Sequence, residues 1–283
     1  MSNNPDPVLL PGDLPSLNAI AGGTIELRDA RSASTRTVGL LPFELGRTAV
    51  TSAQWLAVQR LATERLALEH QTPQHDVERG KTVPINPVTW FEAVRWCNAA
   101  STLAGAAPAY QISGRNVAWH PGSDGFRLPT EAEWEWAARA GTSTPRYGEL
   151  ADIAWTAADH VAGPQPVGGK AANSFGLFDM IGNVWEWCWD YADTARYGDY
   201  RSLRGAGWDD PSWSARASVR RGSAPDAILE DVGFRVARGA VAAPGSTTTQ
   251  GWSADADRQR AAIKGPLPIG WTPLRSLLER SGD

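Results

Sequence analysis

Cysteine is scarce in this chain, with only Cys97 and Cys188 among 283 residues. Two thiols cannot build the disulfide framework that holds small secreted domains together. Long apolar runs are also missing. None approaches the ~18 residues that cross a bilayer. The opening "MSNNPDPVLLPGDLPSL" has no basic start and no uninterrupted apolar stretch, which argues against a signal peptide. No long basic run occurs, and 31 acids against 27 bases give a formal net charge of −4. That balance is poorly suited to nucleic acid. No internal repeat stands out. The expectation is a soluble cytoplasmic protein that partners neither membrane nor nucleic acid.

Tryptophan is plentiful instead, 14 residues against 6 Phe and 5 Tyr. Buried indoles need acceptors for their N–H groups, so much of the core must border polar backbone. With 28 Gly and 20 Pro, turns should prevail over long helices. The length allows one large domain or two ordinary ones. Residues 1–15 read as a loose arm. "NAIAGGTIEL" reads as strand, Gly-Gly turn and strand. "TVGLLPFELGRTAVTSAQWLAVQRLATERL" reads as a strand and a helix, with Ser52 as N-cap and Trp55, Leu56 and Val58 opening the apolar face. Thr89 with Glu92 and Thr130 with Glu133 form capping boxes. The first begins a helix with Trp90, Val94 and Cys97 on one face. The second begins a helix with Trp134, Ala137 and Ala138 inward, and Gly141 suits the position after its end. Between them, "AYQISGRNVAWHPGSDGFRLP" looks like a hairpin. From 142 to 239 only turns and short strands are expected. Residues 240–251, "AVAAPGSTTTQG", have a linker's composition. Residues 252–283 read as a docking tail. Leu267, Ile269, Trp271, Leu277 and Leu278 are its apolar residues, and Leu274–Arg280 is its short helix.

The stretch "GNVWEWCWD" (182–190) alternates like a strand. Trp185, Trp187 and Trp189 should share one face, with Val184, Glu186, Cys188 and Asp190 on the other. Three indoles on one face suggest core building rather than a ligand platform.

Several segments then occur in a telling order: "FELGRTAVTSAQW" (43–55), "PVTWFEAVRWCN" (87–98), "GFRLPTEAEWEWAARAG" (125–141), "NSFGLFDMIGNVWEWCWD" (173–190), "LRGAGW" (203–208) and "VGFRVAR" (232–238). Over roughly 16–239 the chain resembles the formylglycine-generating enzyme, or sulfatase-modifying factor, family. The resemblance implies an α+β, C-type-lectin-like fold, loop-rich and low in regular structure. It leaves function open. Such proteins include copper-dependent cysteine oxidases, halves of iron-dependent sulfoxide synthases, modifiers of siderophore precursors, and binding or immunity proteins. Fold does not choose among these, so the site must.

The copper enzymes resembled here carry a cysteine pair just after a Gly-Gly-Ser-aromatic step, because soft thiolates hold Cu(I). The matching stretch runs from Gly205 to Arg216, contains no cysteine, and has Gly207 where the serine stands. Cys97 and Cys188 read better as small buried hydrophobes. Of the four histidines, His70 and His75 lie in a polar loop, and His70, His75, His120 and His160 do not show the spacing of the sulfoxide synthases' iron ligands. The resemblance also implies one structural Ca2+ held by the Asp179 and Glu186 carboxylates and the Gly182 and Val184 carbonyls, a hard-oxygen set. A second calcium site has no match between 149 and 178. The family's binding face or active-site groove corresponds to Trp208, Asp209, Asp210, Trp213, Arg216, Arg220, Arg221, Asp226, Glu230 and Asp231, and Trp with Arg is a hot-spot composition. Arg235 reads as structural.

Intact scaffold residues beside missing catalytic ones point to a non-catalytic module that binds a protein or a small molecule, of accessory or immunity type. The alternative is an iron- or copper-dependent oxidoreductase acting on a thiol or amino-acid substrate, with ligands such as Asp209, Asp210 and His160. A hypervariable receptor is a third reading, in which the 200–235 region would be templated.

Overall fold

The computed structural model describes residues 9–29, 34–66 and 80–263. The start of the expected arm, His70, His75, the tail residues Leu267 to Leu278 and the Leu274–Arg280 helix lie outside the described residues.

Local signals set the three longest helices: α1 (Ser52–Leu66), α2 (Trp90–Leu103) and α3 (Glu131–Arg139). Both expected capping boxes form, Thr89 with Glu92 and Thr130 with Glu133. They satisfy N–H groups that a helix start leaves without partners. On α1 the cap is Thr51 rather than Ser52. Thr51 Oγ1 accepts from the Gln54 N–H at 3.3 Å, and Gln54 Oε1 accepts from the Thr51 N–H at 3.0 Å. Trp55, Val58 and Leu61 are buried, but Leu56 is 40% exposed. A residue directly after Trp55 is turned about 100° around the helix, so Leu56 leaves the face it was expected to join. On α2 and α3 the expected inward residues are all buried.

Two four-stranded sheets carry the rest. The first runs Leu17–Ile20, Phe43–Gly46, Ala237–Arg238, Phe126–Arg127, all antiparallel. The second runs Arg220–Ser223, Arg201–Arg204, Trp185–Tyr191, Val232–Phe234, and its last pair is parallel. The expected hairpin at 110–119 forms. The Gly-Gly turn does not join its two strands. Leu17–Ile20 pairs with Phe43–Gly46, whereas Gly23–Asp29 pairs with Ser34–Leu40. At Gly22 an added Cβ would lie 2.4 Å from the Leu40 carbonyl oxygen, so the close approach there requires glycine.

Every residue from Trp185 to Asp190 is buried. The two-face pattern holds past Trp187, with Glu186, Cys188 and Asp190 all on the side of α3. A register shift then separates the Trp187↔Leu203 pair from Tyr191↔Arg201. The strand carries two extra residues there, which preserves the alternation, and the three indoles serve different neighbours. Trp185 Nε1 donates to Asp210 at 2.6 Å and Trp187 Nε1 to the Val88 carbonyl at 2.8 Å. Trp189 packs against Trp90, Tyr110, Trp119 and Trp252. The opposite face packs on α3, where Glu186 accepts from Trp134 Nε1 at 2.7 Å and Asp190 accepts from the Glu131 N–H at 2.8 Å.

Arg235 sits where the chain passes from the second sheet to the first, between Val232–Phe234 and Ala237–Arg238. Its side chain is 0% exposed and meets Glu186 at 2.8 Å. It also donates to the carbonyls of Gly46 at 2.7 Å and Phe178 at 2.8 Å. One guanidinium thus joins both sheets and the loop before the tryptophan strand.

The stretch 240–251 is packed rather than a free linker. Val241 is 1% and Gln250 3% exposed. Gln250 bonds both to Leu41 and to Glu133. After it, Trp252 enters the aromatic core and Ala254–Ala261 forms a helix.

Removing one partner of a buried pair strands the other charge, at about 3–5 kcal/mol. Arg235→Met should therefore lower unfolding free energy in urea by about that much, and Arg235→Met with Glu186→Leu should recover part of it. Equal loss in the single and double variants would refute this account of the pair.

Candidate functional site

The loop after Arg201–Arg204 begins with two left-handed residues, Gly205 (φ 103°) and Ala206 (φ 72°). They turn the chain so that Gly207 faces Trp185, Asp210 and Asp231. A Cβ on Gly207 would lie 3.1 Å from Asp231 Cβ, 3.3 Å from Trp185 Cδ1 and 3.4 Å from Asp210 Oδ2. Asp210 Oδ2 accepts from the Gly207 N–H at 2.7 Å and from Trp185 Nε1 at 2.6 Å. Charge-assisted bonds of this length are strong. Beside Gly207, which stands where the resembled enzymes have their serine, the Asp210 carboxylate closes the loop on itself.

The expected binding-face residues divide into three groups. Asp209, Trp213 and Arg216 are exposed, with Trp213 at 71%. Arg221 and Asp231 form a half-buried ion pair at 3.1 Å, with the Arg221 guanidinium 5.8 Å from the centre of the Trp185 ring. Trp208, Asp210 and Arg220 turn inward. The Trp208 Nε1 atom is buried without an acceptor. Arg220 donates to the Ala192 carbonyl at 2.6 Å and pairs with buried Glu131 at 3.0 Å. Asp226 pairs with Arg115 at 2.7 Å on the surface, away from the Asp210 cluster's hydrogen bonds, and the Glu230 carbonyl accepts from Asn86.

One residue that sequence reasoning missed shapes this face. Arg146 donates to the carbonyls of Ser212 and Ala215, on either side of Trp213. The backbone under the exposed indole is thereby fixed. Nothing in local spacing signals this, because Arg146 is 66 residues from Ser212.

Glu131 and Asp190 form a buried acid pair behind the face. Burial pushes Glu131 up, but Arg220 and Arg204 outweigh it and hold the carboxyl below its usual range. Asp190 has no such pairing. Burial, and then the Glu131 charge, push it up to about 7.

Neither cysteine is equipped for chemistry. Both are free and 0% exposed, and burial raises both thiols. His120 and His160 are exposed. Among the described residues no three His, Cys, Asp or Glu side chains are grouped to hold a metal ion. Asp209, Asp210 and His160 therefore do not converge as a ligand set.

The calcium ligands expected from the resemblance fit a hard cation in part. Asp179 Oδ2 accepts from the Gly168 N–H at 2.7 Å, whereas its Oδ1 is buried with no donor. Burial pushes this carboxyl up to about 6, and a cation beside it would favour the charged form. Glu186 is shared, since Arg235 and Trp134 already engage both of its oxygens. It could serve a cation only as a bridging carboxylate. The set offers oxygens alone, as calcium requires.

Comparison with known proteins adds a family. A model of the sulfatase-modifying factor enzyme 1-like domain matches residues 7–240. The chaperone protein LppX of Paenibacillus barcinonensis is 28% identical, over 77% of this chain and 88% of its own. The inactive C-alpha-formylglycine-generating enzyme 2 of Bos taurus is 31% identical, over 68% of this chain and 60% of its own, so the present chain spans under two thirds of that relative. Among solved structures, Treponema denticola variable protein 1 aligns with a TM-score of 0.65 at 28% identity, covering 78% of this chain and 94% of that one.

Two measurements check the electrostatics. Asp190 has a folded pKa raised above that of a free carboxyl, so the native state holds an extra proton between ~4 and ~7. Its stabilising contribution is present at acid pH and is lost as pH rises through about 7. Melting temperature should fall from pH 5 to 8 in the wild type and fall less steeply in Asp190→Asn; parallel profiles would contradict the assignment. In a thiol-titration assay, neither cysteine should react in the native protein and both should react in denaturant.

Proposed function

The chain belongs to the sulfatase-modifying factor enzyme 1-like family, and from that premise we propose that it is a non-catalytic member that binds a protein partner through the 209–221 face. One observation carries the reading. Asp210 closes the loop where the family's serine chemistry would sit, while Trp213 stands 71% exposed on a backbone clamped by Arg146. An exposed indole on a fixed loop loses little conformational freedom on binding. Arg216 and the Arg221–Asp231 pair add polar contacts around it. A chaperone and an inactive enzyme among the similar proteins support this reading.

Truncating a hot-spot tryptophan costs about 2 kcal/mol or more, roughly 30-fold in affinity. Against the products of the neighbouring genes, Trp213→Ala should weaken binding by that factor and leave the melting temperature unchanged. Turnover of a peptidyl or small-molecule thiol or amino-acid substrate with added copper or iron, seen by mass spectrometry, would overturn the non-catalytic reading.

We also propose a structural calcium ion held by Asp179, Glu186 and the carbonyls of Gly182 and Val184. Its role would be to neutralise the buried Asp179 oxygen that no donor reaches. Chelation should lower the melting temperature of the wild type, calcium should restore it, and Asp179→Ala should abolish both responses. A wild type indifferent to chelator and calcium would rule the site out.

A further inference from the structure

Trp189 lies at the centre of a buried aromatic cluster. Tyr110 stacks on it at 5.2 Å, and Trp119 and Trp252 meet it at 5.6 Å. Among the described residues, Trp252 is the aromatic side chain that the segment after 240 brings to the cluster, from a short strand paired with Thr248–Thr249. The helix after it, Ala254–Ala261, buries no residue. That helix is held by an ion pair between Arg260 and Asp193 at 2.8 Å and by a bond from Thr194 Oγ1 to the Asp257 carbonyl at 2.9 Å. The indole is therefore a buried plug followed by a helix that buries no residue of its own and is tied down by polar contacts.

The hydrogen-bonding groups around the plug do not match it. Trp119 Nε1, Trp189 Nε1 and Arg127 Nε are buried donors with no acceptor. An indole can only donate, and Trp252 gives its own N–H to Asp257 Oδ2 at 2.9 Å. Next to these lies Arg201, 5% exposed, its guanidinium 3.7 Å from the Tyr191 ring centre, 3.9 Å from Trp90 and 5.0 Å from Trp189. It donates to the Trp189 carbonyl at 2.6 Å. Asp257 and Asp190 act on it through space, but among the described residues it makes no ion pair. Asp257 belongs to the plug segment and would leave with it. Asp190 is tied to the Glu131 N–H.

Unmatched buried donors are rare in native interiors, and a buried cation without a counter-ion is costly. Both deficits call for acceptor oxygens and a negative charge. The stacked rings call for a flat apolar body. We propose that the place filled by Trp252 is a binding site for a small planar aromatic carboxylate, with Trp252 as its displaceable intramolecular occupant. The ring would lie against Tyr110, Trp119 and Trp189, and the carboxylate would meet Arg201 and the free N–H groups. This site is separate from the Trp213 face and does not depend on that reading.

The test uses the full chain with Trp252→Ala and two probes of the plug's own size, indole-3-carboxylate and indole, by calorimetry and thermal shift. Indole-3-carboxylate should bind the variant ~10-fold or more tightly than indole does, and ~10-fold or more tightly than it binds the wild type. Adding Arg201→Met should abolish the preference for the acid. Equal binding of the two probes, or no binding of either to a variant with native circular dichroism, would overturn the proposal. If Trp252→Ala does not fold, Arg260→Ala keeps the plug and loosens its helix by removing the pair with Asp193. It should then bind indole-3-carboxylate more tightly than the wild type does, and affinity equal to the wild type would overturn the proposal equally.

Discussion

The ion pair between Arg235 and Glu186 fixes the rest of the molecule in place. Both side chains are buried, so each charge needs the other, and the remaining donors need carbonyls. Arg235 finds those carbonyls at Gly46 in the first sheet and at Phe178 before the tryptophan strand. The Glu186 carboxylate in turn holds the Trp134 indole of α3. Two sheets, one helix and one long loop are thereby brought to a single point. Buried pairs of this kind contribute little net stability compared with apolar packing, but their geometry leaves few alternatives.

With the second sheet anchored in this way, the loop after Arg201–Arg204 takes a fixed shape. The loop is closed by a carboxylate accepting from its own backbone and from Trp185. The same construction fixes the surface beyond it. Arg146 holds the chain on both sides of Trp213, so the exposed indole is presented rather than loose. Rigid support beneath a large exposed side chain suits recognition more than chemistry.

The features legible in the sequence were those governed by neighbours along the chain. Thr89 with Glu92 and Thr130 with Glu133 start their helices because a side chain three residues away satisfies the free N–H groups. The inward faces of α2 and α3 followed from the helical period. The strands on either side of Gly22 and Gly23 were also legible, but their partners were not, because each pairs with a more distant segment. Composition misread 240–251. Small and polar residues looked like a linker, yet Gln250 is buried between Leu41 and Glu133, contacts that no local pattern encodes. Alternation put Glu186 and Asp190 on the face that meets α3, but it did not say which groups each indole would meet.

For the candidate site the division is similar. By itself the sequence determined the family, the missing cysteine pair and the missing serine, since these are identities at positions in ordered motifs. Tertiary structure alone decided the role of each charged or aromatic side chain. Arg220 looked like a surface arginine but meets buried Glu131, Asp210 looked like a ligand but closes its own loop, and Trp252 looked like part of a docking tail with no assigned dock but fills the aromatic core. The reason is that a charge or a ring takes its function from what lies within a few ångströms, and in a chain with so much irregular structure those neighbours come from distant segments.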